Sequence, residues 1–149
     1  MLNLNEKKKS QNNSVVVDTS VLIELLEETA LGNKVFQRIF SNSDIQEFYI
    51  APIVDTELKY ILCRQKGNEN AIKITSEFLK DFTIYSEEKL RDMAAHLKCN
   101  FAISLADCYS LATAKLLDIP IYMKKEDEIE KVFKELSTLV KINFIDNLN

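Results

Sequence analysis

Residues 14–23, SVVVDTSVLI, decide how the rest of the chain is read. Val15, Val16 and Val17 form a β-branched run suited to the centre of a parallel sheet with both faces covered. Asp18 falls where such a strand ends, and Thr19 and Ser20 can cap the helix that begins with Val21, Leu22 and Ile23. The junction sets a carboxylate at the carboxyl end of a central strand, the edge of an open α/β sheet where ligands bind.

Outward from this stretch, strand and helix alternate. Helices are expected over residues 21–28 and 33–40, then a polar turn at 41–44 and a strand at 47–50. Pro52 can open a helix that carries the apolar stripe Ile53, Val54, Leu58, Ile61 and Leu62 as far as Arg64, and Gly67 ends it. A helix over 71–80, a strand over 82–85 and a helix from Ser86 toward Cys99 follow. Ser104 caps the helix LADCYSLATAKLL, in which Ala106, Ala112 and Ala114 allow close approach to a sheet. A strand over 119–123, a helix over 127–136 and a last strand over 141–145 complete the order. Such alternation predicts a three-layer α/β/α sandwich around a central, mainly parallel sheet.

The totals narrow the chemistry. The chain has 149 residues, 46% hydrophobic and 28% charged, enough for one domain with a sizeable core. Residues 1–13, with lysines at 7–9, read as a flexible polar arm, solvated or touching nucleic acid, and residues 14–149 as the domain. No apolar run approaches the length of a membrane span or resembles a signal peptide, so a cytoplasmic protein without membrane contact is expected. Cys63, Cys99 and Cys108 are too widely spaced for a disulfide framework or a structural zinc site. The single histidine, His96, removes multi-histidine metal centres and reads as a helix residue between core and solvent. Any metal must therefore be held by oxygen, which points to a hard cation such as magnesium or manganese. Two isolated glycines, Gly32 and Gly67, cannot build a dinucleotide or P-loop fingerprint. A net charge of -4 argues against coating nucleic acid by bulk electrostatics, but not against an enzyme that meets a phosphodiester through cations and a few lysines.

Acids stand at the structured junctions: Asp18 after the first strand, Glu57 early in a helix, Asp107 in the first turn of another. A fourth position follows the 119–123 strand in KKEDE, where Glu126 is the first choice and Asp127 the second. Each has a plain structural role available. Asp18 can cap its helix, Glu57 can face solvent, Asp107 can form a capping box with Ser104, and Glu126 or Asp127 can complement a helix dipole. Together they suggest a cation site, because crowded carboxylates repel unless a cation neutralises them. Lys124 and Lys125 are candidates for attracting phosphate or belong to a solvated turn. Tyr60 and Arg64 either border a groove or pack locally. Cys108 reads as a small buried thiol against the sheet.

VVVDTSVLIELL, then ELKYILCRQKG, then SLADCYSLATAKLLDIPIYMKKEDEI resemble the PIN-domain family of metal-dependent ribonucleases, particularly the toxins of VapBC-type toxin–antitoxin pairs. The resemblance covers residues 15 to about 144. It implies that Asp18, Glu57, Asp107 and a fourth acid, Glu126 or Asp127, bind Mg2+ or Mn2+, and that the Ser20 hydroxyl orders acids and waters. It further implies an RNA substrate, products with 5'-phosphate and 3'-hydroxyl ends, a homodimer, and a VapB-like antitoxin that covers the acidic groove. The apolar residues of the helices around 35–40 and 53–62 could supply the dimer face. The turn after the 119–123 strand departs from the family's Thr-Gly-Asp-like form, which leaves open a catalytically weak or inactive PIN-like RNA-binding or regulatory module. An aspartyl phosphatase needs a second Asp where Ser20 stands, and a receiver domain needs an acidic pair that the chain lacks.

Overall fold

The computed structural model describes residues 13–149, so all but Asn13 of the expected arm lies outside the described residues. Within the described residues five strands form one sheet in the order β3-β2-β1-β4-β5. They are β1 (Ser14–Val17), β2 (Glu47–Ile50), β3 (Thr83–Ile84), β4 (Ile121–Met123) and β5 (Ile142–Phe144). Every neighbouring pair is parallel, with Val16 opposite Tyr49 on one side and Ile121 on the other. Among the described residues seven α-helices connect them: α1 (Thr19–Leu26), α2 (Ala30–Val35), α3 (Pro52–Lys66), α4 (Asn68–Phe78), α5 (Glu87–Asn100), α6 (Leu105–Leu117) and α7 (Asp127–Leu136). The chain steps outward from β1 to β3 through α1 to α4, and the right-handed rule for parallel crossovers sets these helices over one face of the sheet. The return to β4 and the step to β5 bring α5, α6 and α7 over the other. This is the expected α/β/α sandwich.

The strand order reverses between β1 and β4, so their carboxyl ends flank the crevice of a doubly wound sheet. The valines of β1 occupy the centre of the core as their branching suggested, Val16 and Val17 being fully buried. Leu22, Ile50, Leu58, Leu111, Ile121 and Met123 close around them, and Ala112 and Ala114 let α6 lie against the sheet. Val35, Ile39, Val54 and Leu58, expected as possible dimer-face residues, are spent on this core, whereas Phe36 remains 57% exposed.

Several boundaries differ from the sequence reading. Thr19 and Ser20, expected as caps, are already inside α1; Asp18 is the cap, because its side chain accepts the Ser20 backbone N–H. Glu28, with φ 51°, ends that helix, and Thr29 caps the next by accepting the Gly32 N–H at 2.9 Å, so α2 starts before the expected residue 33. It continues as one π-helical stretch, Phe36–Phe40, which a 3.6-residue period does not reveal. Gly67, with φ 82°, ends α3 and at once begins α4, three residues earlier than expected. No helix among the described residues is long and apolar enough to cross a membrane.

Candidate active site at the carboxyl edge of the sheet

The crevice between β1 and β4 contains a pocket of about 200 Å³ lined by Asp18, Glu57, Asp107 and Glu126, with Thr19 and Ser20 between them. The four acids come from four distant segments. Asp18 follows β1, Glu57 lies in the second turn of α3, Asp107 in the first turn of α6, and Glu126 directly before α7. Asp127, the alternative fourth acid, is exposed in the first turn of α7 and does not line the pocket. Ile23 and Ile61 form an apolar wall beside the carboxylates.

Neighbouring hydroxyls orient the acids. The Ser20 hydroxyl donates to Asp18 Oδ2 at 2.7 Å and its backbone N–H to the same oxygen at 3.2 Å, so Oδ1 carries neither bond. Ser20 Oγ in turn accepts the backbone N–H of Lys124 at 3.1 Å, tying the end of β4 to the start of α1. The Thr19 hydroxyl donates to Glu57 Oε1 at 2.7 Å across 38 residues of sequence. Asp107 donates its backbone N–H to Ser104 Oγ at 3.1 Å, which is half of the expected capping box, while its carboxylate belongs to the pocket.

Crowding shows in the electrostatics. Burial, then the charge of Asp18, with smaller contributions from Glu126 and Glu57, pushes the Asp107 carboxyl up to about 7. Burial also raises Glu57, helped by Asp18 and Glu126 and opposed by the Thr19 hydrogen bond. Glu126 is raised by burial and by Asp18 and Glu128, with Lys124 acting the other way. Carboxylates crowded in this way, each raising its neighbours' affinity for protons, are a donor set suited to a hard divalent cation, which supplies the missing positive charge. Their chemistry fits such an ion, although among the described residues no group of three or more His, Cys, Asp or Glu is drawn together as a finished ligand set.

The remaining candidates separate by partner. Lys124 is engaged with Glu24 at 2.5 Å, and Glu24 also accepts the Thr29 hydroxyl. Lys125 points elsewhere: its ammonium lies 5.9 Å from the centre of the Phe144 ring and its backbone N–H donates to Asp146 Oδ2 at 2.7 Å. The Arg64 guanidinium stacks over Tyr60 at 5.0 Å. His96 is exposed on α5, and Cys108 is fully buried, with burial raising its thiol. Thr19 as the holder of Glu57 and Glu24 as the partner of Lys124 escaped the sequence reading. Only the hydroxyl next to Asp18 gave a local hint of the first, and nothing local marks the second.

Comparison with known proteins follows the same outline. The PIN-domain family model matches residues 15–135. Among solved structures, a toxin–antitoxin complex from Klebsiella pneumoniae aligns with TM-score 0.62 at 18% identity, covering 77% of this chain and 89% of that one. VapBC-1 from nontypeable Haemophilus influenzae aligns with TM-score 0.68 at 14% identity over 90% and 99% of the two chains. The sarcin–ricin-loop-cleaving VapC toxin of Mycobacterium tuberculosis aligns with TM-score 0.61 at 18% identity over 78% and 94%. At these identities the likeness is one of fold. No curated protein sequence matches the chain.

Proposed function

Because the chain belongs to the PIN-domain family, we propose that it is a divalent-cation-dependent endoribonuclease, the toxin member of a VapBC-type pair. The observation that carries the proposal is the meeting of four acids, from four segments, in one pocket at the switch point of the sheet. Asp18, Asp107, Glu57 and Glu126 are the residues that would hold Mg2+ or Mn2+. Such an ion, when bound, lowers the pKa of a water and polarises a phosphoryl oxygen.

The chain's own residues supply the positioning. Ser20 occupies Asp18 Oδ2 and Thr19 occupies Glu57 Oε1, leaving Oδ1 and Oε2 free of those bonds and available to the pocket. Ser20 also fixes the main chain of Lys124, and with it the turn that delivers Glu126. Ile23 and Ile61 give one side of the pocket an apolar wall, whose low dielectric strengthens interactions among the charged groups. Relatives of this fold are toxin–antitoxin complexes, and the same arrangement is proposed here: an antitoxin chain covering the acid pocket of a homodimeric toxin.

The test is cleavage of single-stranded and structured RNA with Mn2+ or Mg2+ and with EDTA. Asp18→Asn and Asp107→Asn should each abolish cleavage while the circular dichroism spectrum stays that of the wild type. A wild-type protein that binds RNA but cleaves none in either metal would instead be a PIN-like binding module.

A further inference from the structure

A second, larger cavity of about 640 Å³ runs along β5 and α7, on the other side of the turn after β4 from the acid pocket. We propose that it seats a nucleotide of single-stranded RNA flanking the scissile bond, an inference that rests on the nuclease reading. Its size falls within the range of small-molecule sites. Its lining joins the two chemistries that a nucleotide needs. Tyr122 and Phe133, both partly exposed, offer ring surface for a base, Phe144 being only 8% exposed and packed against Phe133 with ring centres 5.2 Å apart, and the amides of Asn143 and Asn147 can pair with base edges. The ammonium groups of Lys125 and Lys141 suit a phosphate.

Charge and position support a nucleic-acid occupant. Among the described residues neither Lys125 nor Lys141 has an ion-pair partner, in contrast to Lys124, which is held by Glu24. Glu130 lines the same groove, and one oxygen of Asp146 is taken by the Lys125 N–H. Lys125 and Glu126 are consecutive, yet the first lines this groove and the second the acid pocket. Consecutive Cα atoms are about 3.8 Å apart, so the two cavities share this turn as a common wall, which a strand with a phosphate among the acids would cross to reach the rings.

The experiment compares two charge reversals, Lys141→Glu in the groove and Lys73→Glu on the exposed face of α4. Fluorescence anisotropy with a labelled single-stranded RNA in EDTA gives affinity, and Mn2+-dependent cleavage of the same RNA gives kcat and KM. Lys141→Glu should weaken binding and raise KM by about tenfold, with kcat within about twofold, whereas Lys73→Glu changes both by less than about twofold. Asn143→Ala, which leaves the charge untouched, should weaken binding by a smaller factor. Equal effects of the two reversals, or groove variants that lower kcat at unchanged affinity, overturn the groove and leave the nuclease standing. RNA binding that depends on Lys141 without any cleavage retains the groove as a binding site and overturns the nuclease. Absence of both binding and cleavage overturns both.

Discussion

Asp107→Asn should stabilise the protein above neutral pH when no divalent cation is present. The folded carboxyl is raised from 3.8 to about 7, chiefly by burial and then by Asp18. A carboxylate with a raised folded-state pKa favours the native state fully below its ordinary value, and that contribution is lost as pH climbs through the folded value. Between those limits the native state binds more protons than the unfolded chain, so stability falls as pH rises. An interval of about three pH units at about 1.4 kcal/mol each sets an upper bound of about 4 kcal/mol. Relaxation around the charge reduces this, and about 2–4 kcal/mol is the expected gain for the asparagine variant at pH 8. The helix cap is retained, because Ser104 accepts the backbone N–H of residue 107, which the substitution leaves in place. Urea unfolding of both proteins in EDTA, from pH 4 to pH 8, measures the difference directly, since all other groups titrate in both. The two should coincide near pH 4 and diverge toward pH 8. Adding Mn2+ at about a hundred times its dissociation constant should return about 2.7 kcal/mol to the wild type and less to the variant. A difference independent of pH, or a variant weaker than the wild type at pH 8, would refute the reasoning.

Three further outcomes follow. Thr19→Val removes the hydroxyl that donates to Glu57 Oε1; the Glu57 carboxyl should rise further, as NMR titration would detect, and RNA cleavage should fall by about tenfold, the scale of lost orienting contacts around metal ligands. Gly32→Ala places a Cβ 2.0 Å from the Glu24 carbonyl oxygen, a backbone atom that cannot swing aside; α1 and α2 must separate, at a cost of about 3 kcal/mol in thermal or urea unfolding. Glu24→Gln breaks the pair with Lys124, whose side chain is 40% exposed, so a loss of about 1 kcal/mol or less is expected. Lys124 and then Thr29 hold Glu24 below its ordinary value, so this loss should be present above about pH 4.5 and vanish as pH falls through the folded value.

What the sequence revealed follows the range of the forces involved. The β1 valines, the Pro52 start of α3 and the Ser104 cap of α6 are local signals, and the structure places them as expected. The parallel sheet follows from alternation because a parallel strand needs a crossover. The start of α1 is ambiguous in the sequence because Asp18 and its two hydroxyl neighbours are all good caps; the structure takes Asp18, whose side chain accepts from Ser20 while Ser20 Oγ accepts the Lys124 N–H. The π-helical stretch at Phe36–Phe40 has no periodic signature. Glu57 is uninformative within its own helix; only the approach of α3 to α1 gives it Thr19 and the pocket. The choice between Glu126 and Asp127 turns on where α7 begins, and the structure makes Glu126 the residue before its first turn and the one that lines the pocket.

The turn after β4 is fastened through its main chain: Ser20 accepts the Lys124 N–H and Asp146 the Lys125 N–H. Neither anchor reads the identity of the side chain it fastens. The course of the loop is thereby indifferent to the side chains at 124 and 125, apart from proline, which has no N–H to give, so other residues grafted at these two positions should leave Glu126 facing the pocket.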